Sequence, residues 1–284
     1  MAARILDFEL VERGDPGALR TWEEALGWAR SARKWAALTG AGVSVESGVP
    51  DFRSPRGVWA RFPVEEYGTI EAFHRDPAKA WRLYRAIWED VGGKEPNPAH
   101  LALARLEREG RLAGLVTQNI DNLHQKAGSR RVIEIHGDSR NLQCVKCGWV
   151  GPALVEELLA SKEVPLCPRC GCALKPNVVM FGEDVRGQAE IEELLEGCDL
   201  MIVAGTSAEV YPANLLPSRV AAAGGKVIEF NLAPSALTEG RVGGGIFGES
   251  LPSDLLVLGR ASRTLPAFAG ALLGKEDGEG GPKE

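Results

Sequence analysis

Six short apolar runs punctuate the chain, at residues 35–38, 112–117, 132–135, 199–204, 226–230 and 254–258. None sustains a two-residue alternation, so each reads as a strand buried on both faces. Helical patterns fall between them. Thr21 and Glu24 form a capping-box pair, and Trp22, Leu26, Ala29 and Ala32 follow at helical spacing, which predicts a helix over 21–34. Asn97 as N-cap, Pro98 at the first helical position, Leu101, Leu103, Ala104 and Leu106, and a terminating Gly110 predict another. Alternating strands and helices imply a parallel sheet. The run at 35–38 breaks into Thr39-Gly40-Ala41-Gly42 before another helix start, the pattern of a first βα crossing in a nucleotide-binding sheet.

Two segments interrupt the rhythm. Residues 54–96 carry Trp59, Phe62, Tyr67, Phe73, Trp81 and Trp88 with little strand character, and read as a helical insertion. Residues 140–180 are rich in Cys, Gly and Pro, and read as a small metal-held module. The expected architecture is α/β: a Rossmann-like parallel-sheet core assembled from 1–53, 97–139 and 181–274, the helical insertion, the zinc-binding module, and a polar, Gly-rich tail at 275–284 expected to be disordered. No internal repeat at a fixed period is evident.

Composition narrows the function classes. With 44% hydrophobic and 25% charged residues, the 284-residue chain has ordinary globular make-up. A net charge of -6 weighs against nucleic acid or an anionic membrane as a partner. The N-terminal stretch lacks the basic start and apolar run of a secretory signal, and no segment holds 18 consecutive apolar residues, so a cytoplasmic setting is expected.

The chemistry concentrates in a few places. Cys144 and Cys147, then Cys167 and Cys170, form two Cys-x-x-Cys knuckles whose four thiolates suit a closed, tetrahedral, structural zinc shell. Cys172 is an alternative to Cys170, though the tighter knuckle favours Cys170; Cys198 stands apart and reads as a core residue. The small residues Gly40, Ala41 and Gly42 would let backbone N–H groups approach a phosphate. The third glycine of the dinucleotide fingerprint is absent, since Val43-Ser44-Val45 follows, which argues against a hydride-transfer dehydrogenase. Gln118, Asn119 and Asp121 cluster just past a strand, where open α/β folds bind ligands, although a polar turn would look the same. His136 ends a strand and precedes a glycine, the best placed of four histidines for proton transfer near neutrality. His124 is its rival, and His74 and His100 read as structural or surface residues. Gly205-Thr206-Ser207 and Asn231 end the next strands at the same sheet edge.

Taken in order, 40–53, 117–124, 134–137, the cysteine pairs, 175–183, 205–207, Val210 and Asn231 resemble the sirtuin family, over roughly residues 20–260. The resemblance implies an NAD-dependent protein lysine deacylase in which NAD is consumed, giving nicotinamide, deacylated lysine and acyl-ADP-ribose. His136 would be the catalytic base and Asn119 its catalytic partner, with Asn119 and Asp121 holding the nicotinamide carboxamide and Phe52 shielding the reacting face. Arg53 and Ser44 would contact phosphate or ribose, and Gly40, Ala41, Gly42, Asp51, Gln118, Ile120, Gly205, Thr206, Ser207 and Asn231 would complete the NAD site. Val179, Phe181, Gly182 and Glu183 would pair with the backbone of an acyl-lysine peptide as an added strand, and Tyr84 would contact the substrate. A branch of the family that removes succinyl and malonyl groups carries a Tyr-x-x-Arg pair in its helical module. Here Tyr84 is followed at that spacing by Ile87, so neutral acyl groups, acetyl first, are expected. Mono-ADP-ribosyl transfer would use the same cleft. A non-enzymatic NAD or ADP-ribose sensor would be favoured if position 136 lacked a base, and a zinc-ribbon nucleic-acid binder predicts salt-sensitive binding and indifference to NAD, against which the acidic net charge weighs.

Overall fold

A computed structural model describes residues 3–242 and 253–274. The strands in chain order are β1 (Arg4–Asp7), β2 (Trp35–Thr39), β3 (Leu112–Thr117), β4 (Val132–Glu134), β5 (Gly137–Gln143), β6 (Val150–Pro152), β7 (Lys175–Val178), β8 (Leu200–Ala204), β9 (Lys226–Asn231) and β10 (Leu255–Leu258). Seven of them form one sheet, in the order β1-β10-β9-β8-β2-β3-β4. Every pairing in it is parallel.

The lack of alternation in the apolar runs has its explanation in the two faces of this sheet. Trp35 and Ala37 of β2 face one way, into a core shared with helices Pro16–Ser31, Pro98–Arg108 and Ala261–Leu273. Ala36 and Leu38 face the other, toward helices Gln188–Leu195 and Leu215–Ala222. With both faces covered, each position must be apolar.

Three local expectations need correction. The first long helix spans Pro16–Ser31, not 21–34: Asp15 is its N-cap, accepting from Ala18 N at 2.8 Å, with Pro16 at the start. Thr21 therefore lies inside the helix, where its hydroxyl donates to Gly17 O at 3.2 Å. An Asp-Pro start is the stronger signal because both residues satisfy the free helix end. Past Gly40 the chain forms a 3₁₀ helix, Ala41–Ser47, ended by Gly48 at φ 81°. The polar start contributes an edge strand, β1, hidden from pattern reading because only Leu6 of its four residues is buried. By contrast, Asn97 caps Pro98–Arg108 as expected, and His100 supplies the reciprocal half of the capping box.

The two insertions form a single lobe. Helices Val58–Arg61, Val64–Tyr67, Ile70–Arg75 and Pro77–Val91 pack against the antiparallel sheet β6-β5-β7 around Phe73, Trp81, Trp88, Leu142, Leu158 and Leu174. Two indole N–H groups tie the halves together, Trp81 to Leu174 O at 2.8 Å and Trp88 to Ser139 O at 3.1 Å. The tail at 275–284 lies outside the described residues. Among the described residues no helix is long and apolar enough to cross a membrane.

Candidate active site

The carboxyl ends of β2, β3, β8 and β9 meet at one edge of the sheet, as open parallel sheets require of a ligand site. Glycines let the loops after β2 and β8 touch. Gly42 N donates to Gly205 O at 2.8 Å, a Cβ at Gly42 would sit 2.8 Å from that oxygen, and Gly205 itself has φ +61°. Side chains would hold these loops apart.

Above them opens a cleft of about 550 Å³. It gathers Gly40, Ala41, Gly42, Asp51, Phe52, Arg53, Gln118, Asn119, Ile120, Gly205, Thr206, Ser207 and Asn231, together with His136, Tyr84, Val179, Phe181, Gly182 and Glu183. Two expected contacts are not among its walls. Asp121 lines a small adjoining recess with Asn119, Ile120, Val49, Pro50 and Ile87. Ser44 lines neither space: it is fully buried, with its hydroxyl donating to Asp121 at 2.6 Å, so it supports the site from beneath instead of touching phosphate or ribose.

His136 Nδ1 lies 3.0 Å from the carbonyl oxygen of Gln118. A carbonyl only accepts, so Nδ1 carries the proton and Nε2 is left as a free base. Burial holds the imidazole pKa below its ordinary value; the Gln118 carbonyl opposes this and the nearby Arg53 cation adds to it. Arg53 in turn faces Glu209 at 3.5 Å. His124 is no competitor. It is buried against Thr39 Oγ1 at 2.9 Å, and burial, then His100, pushes its pKa down to about 3. His100 is likewise fully buried, not a surface residue.

Asn231 holds Thr206 by two bonds, accepting from Thr206 N and donating to Thr206 O, each at 3.2 Å. Behind it lies Glu229, which pattern reading missed. Its buried carboxylate accepts from Thr238 Oγ1 at 2.6 Å, Ser253 Oγ at 2.5 Å, Asn231 Nδ2 at 3.2 Å and the Ser235 hydroxyl. An acid inside an otherwise apolar run was the available signal.

On the opposite wall an aromatic series runs from Phe52 to Trp59 (5.2 Å between centroids) and on to Phe181 (6.0 Å). The 179–183 segment departs from a simple added-strand edge. Phe181 N and O are bonded to Gly68 O and Ile70 N at 3.0 Å each, and Val179 N donates to His136 O at 2.7 Å. Glu183 turns inward, accepting from Met180 N and from the fully buried Lys175, both at 2.8 Å. Gly182 is exposed, and its backbone has no partner among the described residues. Lys175 was also missed, since a lone lysine in a polar-looking segment gives no cue to burial.

In the second lobe the sulfur atoms of Cys144, Cys147, Cys167 and Cys170 all lie within 4.8 Å of one another. Two pairs, Cys144–Cys170 and Cys147–Cys167, approach to 3.5 Å. Tetrahedral Zn–S bonds of about 2.3 Å would set sulfurs slightly under 4 Å apart, so the donor set fits zinc. Cys172 is outside the cluster and uses its carbonyl to accept from Cys167 N at 2.7 Å.

The fold and cleft define an α/β protein with a nucleotide-type site at a parallel sheet edge and a four-cysteine metal module in a second lobe. The family model "Sir2 family" matches residues 40–212, and the chain belongs to that family. It is 43% identical over 240 residues to "NAD-dependent protein deacylase 2" of Pyrobaculum aerophilum, covering 83% of this chain and 90% of that one. It is 43% identical over 227 residues to "NAD-dependent protein deacylase sirtuin-5, mitochondrial" of Xenopus tropicalis, covering 71% and 74%. Among solved structures, a "Sir2 homolog-NAD complex" superposes with a TM-score of 0.77 at 38% identity, covering 88% of this chain and 93% of that one. A Sir2 variant bound to a deacetylated p53 peptide and 3'-O-acetyl ADP-ribose matches with a TM-score of 0.76 at 32% identity, covering 88% and 97%.

Proposed function

We propose that this chain is an NAD-dependent protein lysine deacylase, with acetyl-lysine peptides as its first substrates and structural zinc held by Cys144, Cys147, Cys167 and Cys170. The observation that carries the reading is the tautomer of His136, whose unprotonated Nε2 belongs to the same cleft as the strand-end loops and the 179–183 segment. Related chains named NAD-dependent protein deacylase support the same conclusion.

Bound NAD would supply the leaving nicotinamide and the ribose carbon that takes the acyl oxygen. The loops at Gly40–Gly42 and Gly205–Ser207 hold its phosphates and riboses, with Arg53 adding positive charge and Asn231 fixing Thr206. Asn119 and Asp121 orient the carboxamide in the recess beside Ile120. Phe52, backed by Trp59, excludes water from the reacting face. His136 Nε2 accepts a proton from the ribose hydroxyls so that oxygen can attack the acyl carbon. The peptide lies along Gly182 and Phe181, and its acyl chain enters among Leu83, Tyr84, Ile87 and Met180, a lining without a cation. A charged succinyl group would find no partner there.

The expected setting is the cytoplasm, where the described cysteines, none of them in a disulfide, would stay reduced. The net charge of -6 supports a peptide substrate over nucleic acid or an anionic membrane. The test is incubation with NAD and a panel of acetyl-, succinyl- and longer acyl-lysine peptides, followed by mass spectrometry. Nicotinamide, deacylated peptide and acyl-ADP-ribose should form together, and His136→Ala should abolish all three. ADP-ribose attached to protein without peptide deacylation would instead establish mono-ADP-ribosyl transfer, and no NAD consumption would refute both.

A further inference from the structure

The 179–183 segment is fastened to the helical insertion at Phe181. Its N–H donates to Gly68 O and its carbonyl accepts from Ile70 N, each at 3.0 Å, so Thr69 and Phe181 lie side by side as one rung of a parallel ladder. The helix Ile70–Arg75 starts from this rung, with the Thr69 side chain accepting from Ala72 N at 3.0 Å as its N-cap. Glu71 comes one residue after the Ile70 anchor, in a helical turn whose backbone is fixed on both sides.

The Glu71 side chain is turned onto Gly182. A Cβ added at Gly182 would meet Ile70 Cγ2 at 3.1 Å and both carboxylate oxygens of Glu71 at 3.3 Å. Gly182 is also the exposed residue whose backbone lacks a partner among the described residues, and so the place where an added peptide strand can bond. The carboxylate therefore flanks that strand. Glu71 is exposed and takes part in no ion pair or hydrogen bond among the described residues. Lys79 is committed to Glu66 at 2.6 Å and Lys175 to Glu183 at 2.8 Å. An acid in a first turn also suits the free N–H groups of the helix, but Thr69 already caps this one, and the cap does not account for a carboxylate directed at the glycine.

We propose that Glu71 is a specificity-determining residue that reads a cation on the peptide, so that the preferred substrates are acyl-lysine peptides with a Lys or Arg close to the modified residue. Met180 belongs to the lining proposed for the acyl chain, and Gly182 lies two residues farther along the same wall. At the rise of an extended strand that is about 7 Å, which puts the peptide residue beside Gly182 about two places from the acyl-lysine. A Lys or Arg there meets the free carboxylate, whereas an Asp or Glu meets a like charge. This inference rests on the reading of the chain as a deacylase with its peptide along this segment.

The test uses acetyl-lysine peptides that differ only in one Arg, Gln or Glu, placed in turn at each position from three before the acetyl-lysine to three after it. Deacetylation with NAD is followed by mass spectrometry at low and high salt. Arg at about two residues on one side should lower the peptide KM about threefold relative to Gln at the same place, the size expected of an exposed charge pair. High salt should erase the difference. Glu71→Gln should erase it too, with the KM for the Gln peptide and for NAD held within about twofold, and Glu71→Lys should invert it in favour of the Glu peptide. Thermal unfolding checks that the variants are folded, and Glu71→Ala carries the comparison if Glu71→Gln is not. No charge preference at any position, a preference spread evenly over all positions, or one that survives loss of the carboxylate overturns the proposal. A wild-type protein that deacetylates none of the peptides removes the deacylase reading itself, and this inference with it.

Discussion

The Gln118 carbonyl accepts from His136 Nδ1–H, leaving Nε2 as the only basic atom of that ring, and burial lowers the pH at which Nε2 becomes protonated. An imidazole must be neutral to act as a base. kcat/KM should therefore stay flat down through pH 6.5, the ordinary histidine value, and fall only below it, by about tenfold per pH unit. An acid limb centred at or above pH 7 would exclude His136 as the free base. Ile87 makes a second prediction at this scale. It lines the cleft one helical turn beyond Tyr84, so Ile87→Arg would place a guanidinium on the same helix face. Turnover of succinyl-lysine relative to acetyl-lysine should rise at least about tenfold, as a desolvated carboxylate gains a partner. An unchanged ratio would mean that the acyl group is read elsewhere in the cleft.

Among the elements, the stretch from β7 to Glu183 depends most on a single side chain. Lys175 is fully buried, and its ammonium donates to Glu183 and to Val178 O. Glu183 in turn holds Met180 N, and Val179 N reaches the backbone of His136. Burial lowers the lysine pKa while Glu183 supports the charge. Lys175→Met leaves that carboxylate and a carbonyl without their donor, and should cost about 3 kcal/mol in chemical denaturation. On the proposed reading, in which the peptide lies along this segment, the KM for peptide should rise more than the KM for NAD. A variant as stable as the parent would show that the ion pair contributes nothing net.

For the molecule as a whole, the second lobe has a core of its own, separate from the two cores flanking the parallel sheet. Cys144 and Cys167 lie inside that core, beside Trp81 and Trp88. Zinc held by the four cysteines would tie the lobe together, and the lobe carries Tyr84 and the lining proposed for the acyl chain. Removing zinc with a chelator should abolish deacylation, shift tryptophan emission to the red and lower the first unfolding transition. Replacing Cys172 with Ser should leave the metal-to-protein ratio at one, whereas Cys170→Ser should lose the metal. Full activity after verified zinc removal would contradict this arrangement.

What the chain determined alone was whatever is encoded in neighbouring residues. Buried runs such as Leu200–Ala204 announced strands because both sheet faces are covered, and the two cysteine knuckles announced a metal because each needs only local geometry. Most of the cleft was legible for a related reason: loops at the carboxyl ends of parallel strands must converge, so Gly40, Gln118, His136, Gly205 and Asn231 had to meet once those strands were adjacent. Long-range pairing decided the rest. The edge strand Arg4–Asp7 exists only because β10 offers it a partner, and its lone buried residue leaves no pattern. Ser44 and Lys175 are of residue types usually found exposed, and His100 of an intermediate type, so nothing local marks them as buried. The partners of Ser44 and His100 lie tens of residues away, 56 between Ser44 and His100 and 77 between Ser44 and Asp121, which no local signal records. The union of the two insertions into one lobe is of the same kind. Side chains of both insertions share one core, and only the folded chain brings them together.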